Sequence, residues 1–286
     1  DRAVETYIRL ADQYPFTGKY DQAQQNIWYL QHFHITEEQV SFEQLADLFG
    51  ELLIDKNPTD LYQRLGTLYF IQQKNYTGAV RQFERLAEQD ISAQQRDSVD
   101  YYIGRSYEIL ATGAAFNVDS AQTREYAAKA ISRFDTLSAR KSPGDPWLQD
   151  LGLRAGKLYG FIDTEQAVSY FSDLAKRYPN DPEIVLEQAK VLNRAGQESF
   201  ALTVLEPALQ NATDAPEYEE MLALAASLAY NQRQQGLAET FYTDYLRNFP
   251  YGFAGARARW VLLEYAQADT NYSEALDHAD SLRQEA

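Results

Sequence analysis

Residues 170–184 read YFSDLAKRYPNDPEI. Ala167, Phe171 and Leu174 stand at i, i+4 and i+7, which puts them on one face of a helix. Lys176 and Arg177 follow near the carbonyl end, where cations are favoured. Pro179 then stops the helix, since it lacks an N–H and clashes with the preceding turn. Asp181-Pro182-Glu183 restarts one: an N-cap, a proline at the first helical position, an acid in the first turn. The stretch is therefore the end of one helix and the beginning of another.

The same small–large–large stripe recurs along the chain. It returns as Ala3/Tyr7/Leu10, Leu45/Phe49/Leu52, Ala79/Phe83/Leu86 and Ala130/Phe134/Leu137. Beyond the first stretch come Ala201/Leu205/Ala208, Ala238/Tyr242/Tyr245 and Ala275/Ala279/Leu282. Successive first members are 42, 34, 51, 37, 34, 37 and 37 residues apart. A period of this size marks a repeat architecture. A second pattern precedes the stripes, as in Tyr62, Leu65, Gly66 and Tyr69. It centres on a small residue, Gly66, Gly104, Ala189 or Ala226, where two helices would cross closely. Glycine inside a helix costs about 1 kcal/mol against alanine, so close packing has to return more than that.

The joints agree with this reading. Asp145-Pro146-Trp147 repeats the cap-and-proline start, and Thr36 to Gln39 fits a capping box. Pro15, Pro58, Pro143 and Pro250, like Pro179, fall five or six residues after a stripe and are expected to stop helices. Thr112 to Arg124 breaks the helical spacing and is expected to be a long loop between two helices.

The spacing Tyr62–Leu65–Gly66–Tyr69–Ala79–Phe83–Leu86, closed by a proline as at Pro179 and Pro250, resembles the tetratricopeptide repeat (TPR). The resemblance covers nearly the whole chain and is strongest from Asp60 to Pro250. It implies an all-α fold, a right-handed α-α superhelix of about seven helix pairs preceded by a half-repeat. The half-repeat would be residues 1–15. The pairs would span about 16–57, 58–92, 96–142, 146–179, 181–212, 215–249 and 252–286, forming one solenoid. The phrase Phe-x-x-Leu-x-x-Arg-Tyr-Pro at Phe171–Pro179 also resembles TPR proteins of the bacterial envelope, of the outer-membrane assembly lipoprotein and Tol-Pal coordinator type. It implies a periplasmic or outer-membrane-associated setting, with a cytoplasmic one as the alternative and any lipid anchor lying outside these residues.

Composition removes other classes. No apolar run nears the roughly 18 residues of a membrane span. Cysteine is absent, so no disulfide, thiolate metal site or cysteine nucleophile is available. A net charge of −16 disfavours nucleic acid as a partner of the whole body. His32 and His34 are two apart, the wrong spacing for a helical metal pair, and no catalytic motif or cofactor signature is present. No catalytic, cofactor-binding or metal residue is assigned.

In TPR proteins the first helices line the concave side. Counting from each small residue, positions three before, one after and four after would face the groove. They give Gln63 and Thr67, then Tyr101, Arg105 and Glu108, then Leu153 and Lys157, then Leu186, Lys190 and Asn193, then Ala223, Ser227 and Tyr230. Arg154, Arg194 and Asn231 flank them. The candidate partner-binding set is Tyr101, Arg105, Arg154, Lys157, Lys190, Asn193, Arg194, Tyr230 and Asn231. Cations and amides in a row can hold a backbone or a carboxylate. The plainer reading is that such rows are solvated faces balancing acidic neighbours. The expected function is a scaffold or adaptor, not an enzyme, that holds an extended peptide or helix of another protein in the groove, in a bacterial envelope assembly. The alternative is the repeat region of a larger enzyme, an envelope protease or glycosyltransferase, suggested by the half-repeat at Asp1. A peptide-sensing regulator ranks third.

Overall fold

The structure, a computed structural model, describes residues 58–71, 73–179 and 181–285. Among these residues there are twelve helices and no strand. They come in pairs. The first two pairs are α1 (Pro58–Ile71) with α2 (Tyr76–Ala87), and α3 (Ala93–Phe116) with α4 (Ser120–Ser138). Next are α5 (Trp147–Ile162) with α6 (Thr164–Arg177), and α7 (Pro182–Arg194) with α8 (Glu198–Asn211). The last are α9 (Tyr218–Asn231) with α10 (Gln235–Asn248), and α11 (Gly255–Ala268) with α12 (Tyr272–Glu285). They group into two compact units, one ending at Arg140 and one beginning at Lys141. The half-repeat 1–15, the pair 16–57, the stripes from Ala3 and Leu45, His32, His34 and the Thr36 cap lie outside the described residues.

Within each unit a helix packs on its own partner and on the neighbouring pair, which is the contact pattern of a repeat stack. The stripes supply the seam. Phe83, Phe134 and Phe171 are buried, as are Leu205, Tyr242 and Tyr245, and Ala79, Ala130, Ala167, Ala201 and Ala238 are fully buried beside them. In the last pair Ala279 and Leu282 are only half-buried; among the described residues α11 is the one helix that α12 packs against extensively.

The small residues are matched to the rings opposite. A Cβ added to Gly66 would lie 2.8 Å from Phe83, one added to Gly104 2.5 Å from Phe134, and one added to Gly156 2.7 Å from Phe171. The glycine lets each ring lie against the first-helix backbone. Where the opposing side chain is Leu205 or Tyr242, alanine (Ala189, Ala226) suffices, and it too is fully buried.

Side-chain caps open α2, α3, α4, α6 and α7. Asp181 accepts from the Ile184 N–H at 2.9 Å, with Pro182 at the first helical position. Asp163 caps α6, and Ser92 with Gln95 forms a full capping box on α3. Two joints differ from expectation. Pro58 opens α1, which uses the same missing N–H at a helix start. Asp145 accepts from the Trp147 N–H at 3.0 Å, and α5 begins at Trp147, one residue later than the cap-and-proline pattern suggests.

Thr112 to Arg124 is not a loop. α3 continues to Phe116 and α4 begins at Ser120, so the added residues lengthen both helices, to 24 and 19 residues. Small residues (Ala111, Gly113, Ala114, Ala115) tolerate helix, Thr112 folds its hydroxyl back onto the Glu108 carbonyl at 3.0 Å, and Asp119 caps α4. The reversal takes only Asn117 to Asp119, with Val118 in the left-handed region at φ 61°.

One knot fixes the approach of α11. The Tyr245 hydroxyl donates to Glu219 at 2.6 Å and accepts from the Ala254 N–H at 2.8 Å, while the same Glu219 oxygen accepts from the Phe253 N–H at 3.1 Å. Burial, then the Glu219 carboxylate, push the Tyr245 hydroxyl up to about 12, against the opposing pull of the Ala254 N–H. α9, α10 and the turn into α11 are thereby held by one phenol.

Candidate partner-binding face

In the second unit the first helices of successive pairs touch one another directly, α5 with α7 and α7 with α9. Their common face carries most of the candidate residues, and the structure gives nearly every cation there a carboxylate. Arg154 pairs with Asp150 one turn earlier at 2.8 Å. Lys157 reaches across to α7, to Glu183 at 2.9 Å and Glu187 at 3.9 Å. Lys190 pairs with Glu187 at 3.0 Å and reaches across to α9, to Glu220 at 2.8 Å. Burial pulls the Lys190 ammonium down, but its hydrogen bonds to Glu220 and Glu187 outweigh that and leave its pKa above the ordinary lysine value. The result is a ladder of rungs between neighbouring first helices. Each exposed rung is worth little by itself, about 0–1 kcal/mol. Together they present alternating charge along the face.

The remaining candidates of this unit join the face in other ways. Asn193 is half-buried. Arg194 is exposed and lays its guanidinium over Gly160, where an added Cβ would meet Nη2 at 3.2 Å. The Tyr230 hydroxyl donates to Glu264 of α11 at 3.1 Å, and Asn231 is exposed at the end of α9. In the first unit, Tyr101 meets Tyr102 edge to face at 5.8 Å, and Arg105 is paired with Glu108 on its own helix. A shallow cleft of about 480 Å³ opens elsewhere in that unit, lined by Glu84, Tyr107, Lys129 and Arg133. The Lys129 ammonium sits over the Tyr107 ring at 5.4 Å and pairs with Glu125 at 2.6 Å.

Sequence reasoning located the cations of the ladder but missed its carboxylates. Asp150, Glu183 and Glu220 each stand six residues before a small residue, Gly156, Ala189 and Ala226, so a periodic signal was present. It also missed Arg257 and Trp260 of α11. The Arg257 guanidinium lies over the Tyr230 ring at 4.8 Å and over the Trp260 ring at 5.4 Å. Among the described residues no cluster of three His, Cys, Asp or Glu is arranged to hold a metal, and no helix is long and apolar enough to cross a membrane.

No family model matches the chain. A stretch of 91 residues, 32% of the chain, is 38% identical to the TPR repeat-containing protein YpiA of Bacillus subtilis (strain 168) and spans 20% of that protein. Among solved structures, the C-terminal part of a TPR repeat-containing protein from Cytophaga hutchinsonii matches with a TM-score of 0.62 at 16% identity, over 84% of this chain and 88% of that one. The chain has the tetratricopeptide-repeat fold. The apo form of RapI is similar as well, with a TM-score of 0.56 at 9% identity over 99% of this chain and 86% of that one. At such identities the likeness is one of fold. In TPR terms, α1, α3, α5, α7, α9 and α11 are the first helices of their repeats, and the ladder lies on the first-helix face.

Proposed function

We propose that this TPR protein is an interaction scaffold whose first-helix face in the second unit receives an extended segment or a helix of another protein. The observation that carries the reading is the ladder itself. Polar side chains of α5, α7, α9 and α11 are brought onto one face, fixed in place by rungs from helix to helix. Preorganised polar groups on a rigid stack bind without the ordering cost that a loop would incur. The TPR fold supports the same reading, since it builds extended binding surfaces from repeats. The setting, a bacterial envelope assembly, rests on the phrase Phe171–Pro179 alone; Phe171 and Leu174 within it are core residues of α6.

A positional-scanning library of fluorescent hexapeptides, titrated with the 286-residue chain and read by anisotropy, tests the proposal. Saturable binding of a defined peptide class is expected, weaker at high salt because the face is charged. Uniform background across the library, or binding that survives when Lys157, Lys190 and Tyr230 are all replaced by alanine, would reject the face as the site.

A further inference from the structure

Among the described pairs, α3–α4 is built to a different length, and the difference falls at its turn. α3 runs twelve residues beyond Gly104, whereas α1, α5, α7 and α9 run five or six beyond Gly66, Gly156, Ala189 and Ala226. α4 begins ten residues before Ala130, whereas α2, α6, α8, α10 and α12 begin three before Ala79, Ala167, Ala201, Ala238 and Ala275. Both helices are thus about seven residues longer at the end where they meet, which is two turns or about 10 Å. Small side chains close the added turns on each other: Ala111 and Ala127 are fully buried, and Ala114 and Thr123 nearly so. The result is a helical stalk with Phe116 and Val118 at its tip, 87% and 88% exposed.

Neither side chain is there for the fold. Four other turns carry a residue in the left-handed region, Lys74, Gly196, Arg233 and Thr270, at φ 51°, 71°, 58° and 60°. Those are polar residues or glycine, so the turn does not ask for an apolar one. Val118 sits at φ 61°, where a branched side chain is disfavoured, and it gains no burial in return. The surroundings are a separate observation. Residues 110–123 contain one charged side chain, Asp119, in a chain that is 24% charged. That carboxylate is turned onto the Gln122 N–H at 3.0 Å. Exposed apolar groups in a patch depleted of charge are the make-up of the centre of a protein interface.

We propose that the α3–α4 tip is a docking knob: Phe116 and Val118 enter an apolar socket in another protein, and the uncharged sides of the stalk line its mouth. This surface belongs to the first unit and does not rest on the reading of the first-helix face. The knob is convex, so the surface that takes it is concave. A lipid surface fits less well. Arg124 is the single cation of residues 106–128 in a chain of net charge −16, and two apolar side chains with one cation fall short of stable anchoring. A second copy of the tip fits less well too, since two such ends meeting would bury far less than the roughly 1,200 Å² of a stable interface.

The test begins with benzoylphenylalanine in place of Phe116 or Val118, and of the exposed Arg85 on α2 as a control, illuminated in the cells that make this protein. Either tip position is expected to give one discrete adduct with the same second protein, and the control none with it. That protein, identified from the adduct by mass spectrometry and purified, is then titrated with the 286-residue chain by calorimetry. Phe116→Ser is expected to weaken binding about tenfold, and Val118→Gly to weaken it by less. Neither is expected to lower the melting temperature, because neither side chain is buried and glycine accepts the φ at the turn. No adduct from the tip, an adduct with a second copy of this chain or with lipid, or an affinity that both variants leave unchanged would overturn the knob. So would co-sedimentation with phosphatidylethanolamine–phosphatidylglycerol vesicles that Phe116→Ser abolishes. Each of these results leaves the first-helix face untouched, since that face is read by its own peptide titration.

Discussion

Phe171→Ala is expected to cost about 3–5 kcal/mol, read as a lower urea midpoint with little change in slope. The ring is fully buried between α5 and α6 and closes directly on Gly156. Removing it leaves a cavity walled by helix backbone, which cannot collapse to fill it. The same pair can be tested from the other side. Alanine for glycine inside a helix ordinarily gains about 1 kcal/mol. At Gly156 the new Cβ would sit 2.7 Å from Phe171, so Gly156→Ala is expected to destabilise by about 1–3 kcal/mol instead. Adding Phe171→Leu to Gly156→Ala should recover part of that loss. A stabilising Gly156→Ala would mean that the ring has room to move and that the matched packing is misread.

Asp100→Ala is expected to be the next most costly change, about 2 kcal/mol. Asp100 is 5% exposed and accepts from two arginines of α4, Arg133 at 3.0 Å and Arg140 at 2.7 Å. Arg140 also pairs with Asp97 at 2.8 Å, and Arg133 comes within 3.7 Å of Glu84 on α2. These outer contacts leave both guanidinium groups partly satisfied and about a third exposed, so the loss stays below that of a fully buried pair. Thermal melts at low and high salt separate the effects: the buried rungs at Asp100 should persist in salt, and exposed pairs such as Lys176–Asp173 should contribute nothing measurable. An Asp100→Ala melt superimposable on the parent would show that the network carries no net stability.

The fold was legible because its cause is local and periodic. Ala167, Phe171 and Leu174 share a helix face by arithmetic, and Asp181-Pro182 starts a helix by the chemistry of its own side chain and ring. The long hairpin was not, since Thr112 to Arg124 has no stripe; its helices are held by packing of α3 against α4, which spacing alone does not register. The candidate site was half legible. Lys157 and Lys190 stand out in an acidic chain, but Glu183 and Glu220 become their partners only once adjacent first helices are known to touch. Trp260 escaped because groove positions were counted from a small residue, and Leu263 occupies that place in α11; Arg257, six residues before Leu263, lies outside the positions counted, as Glu183 and Glu220 do in their own helices.

The most direct test of the account is the footprint of the selected hexapeptide on the 286-residue chain, read from amide and side-chain NMR shifts. Perturbations are expected on α5, α7, α9 and α11, whose polar side chains form the face. Shifts confined to α6, α8 and α10, with α9 and α11 silent, would contradict it.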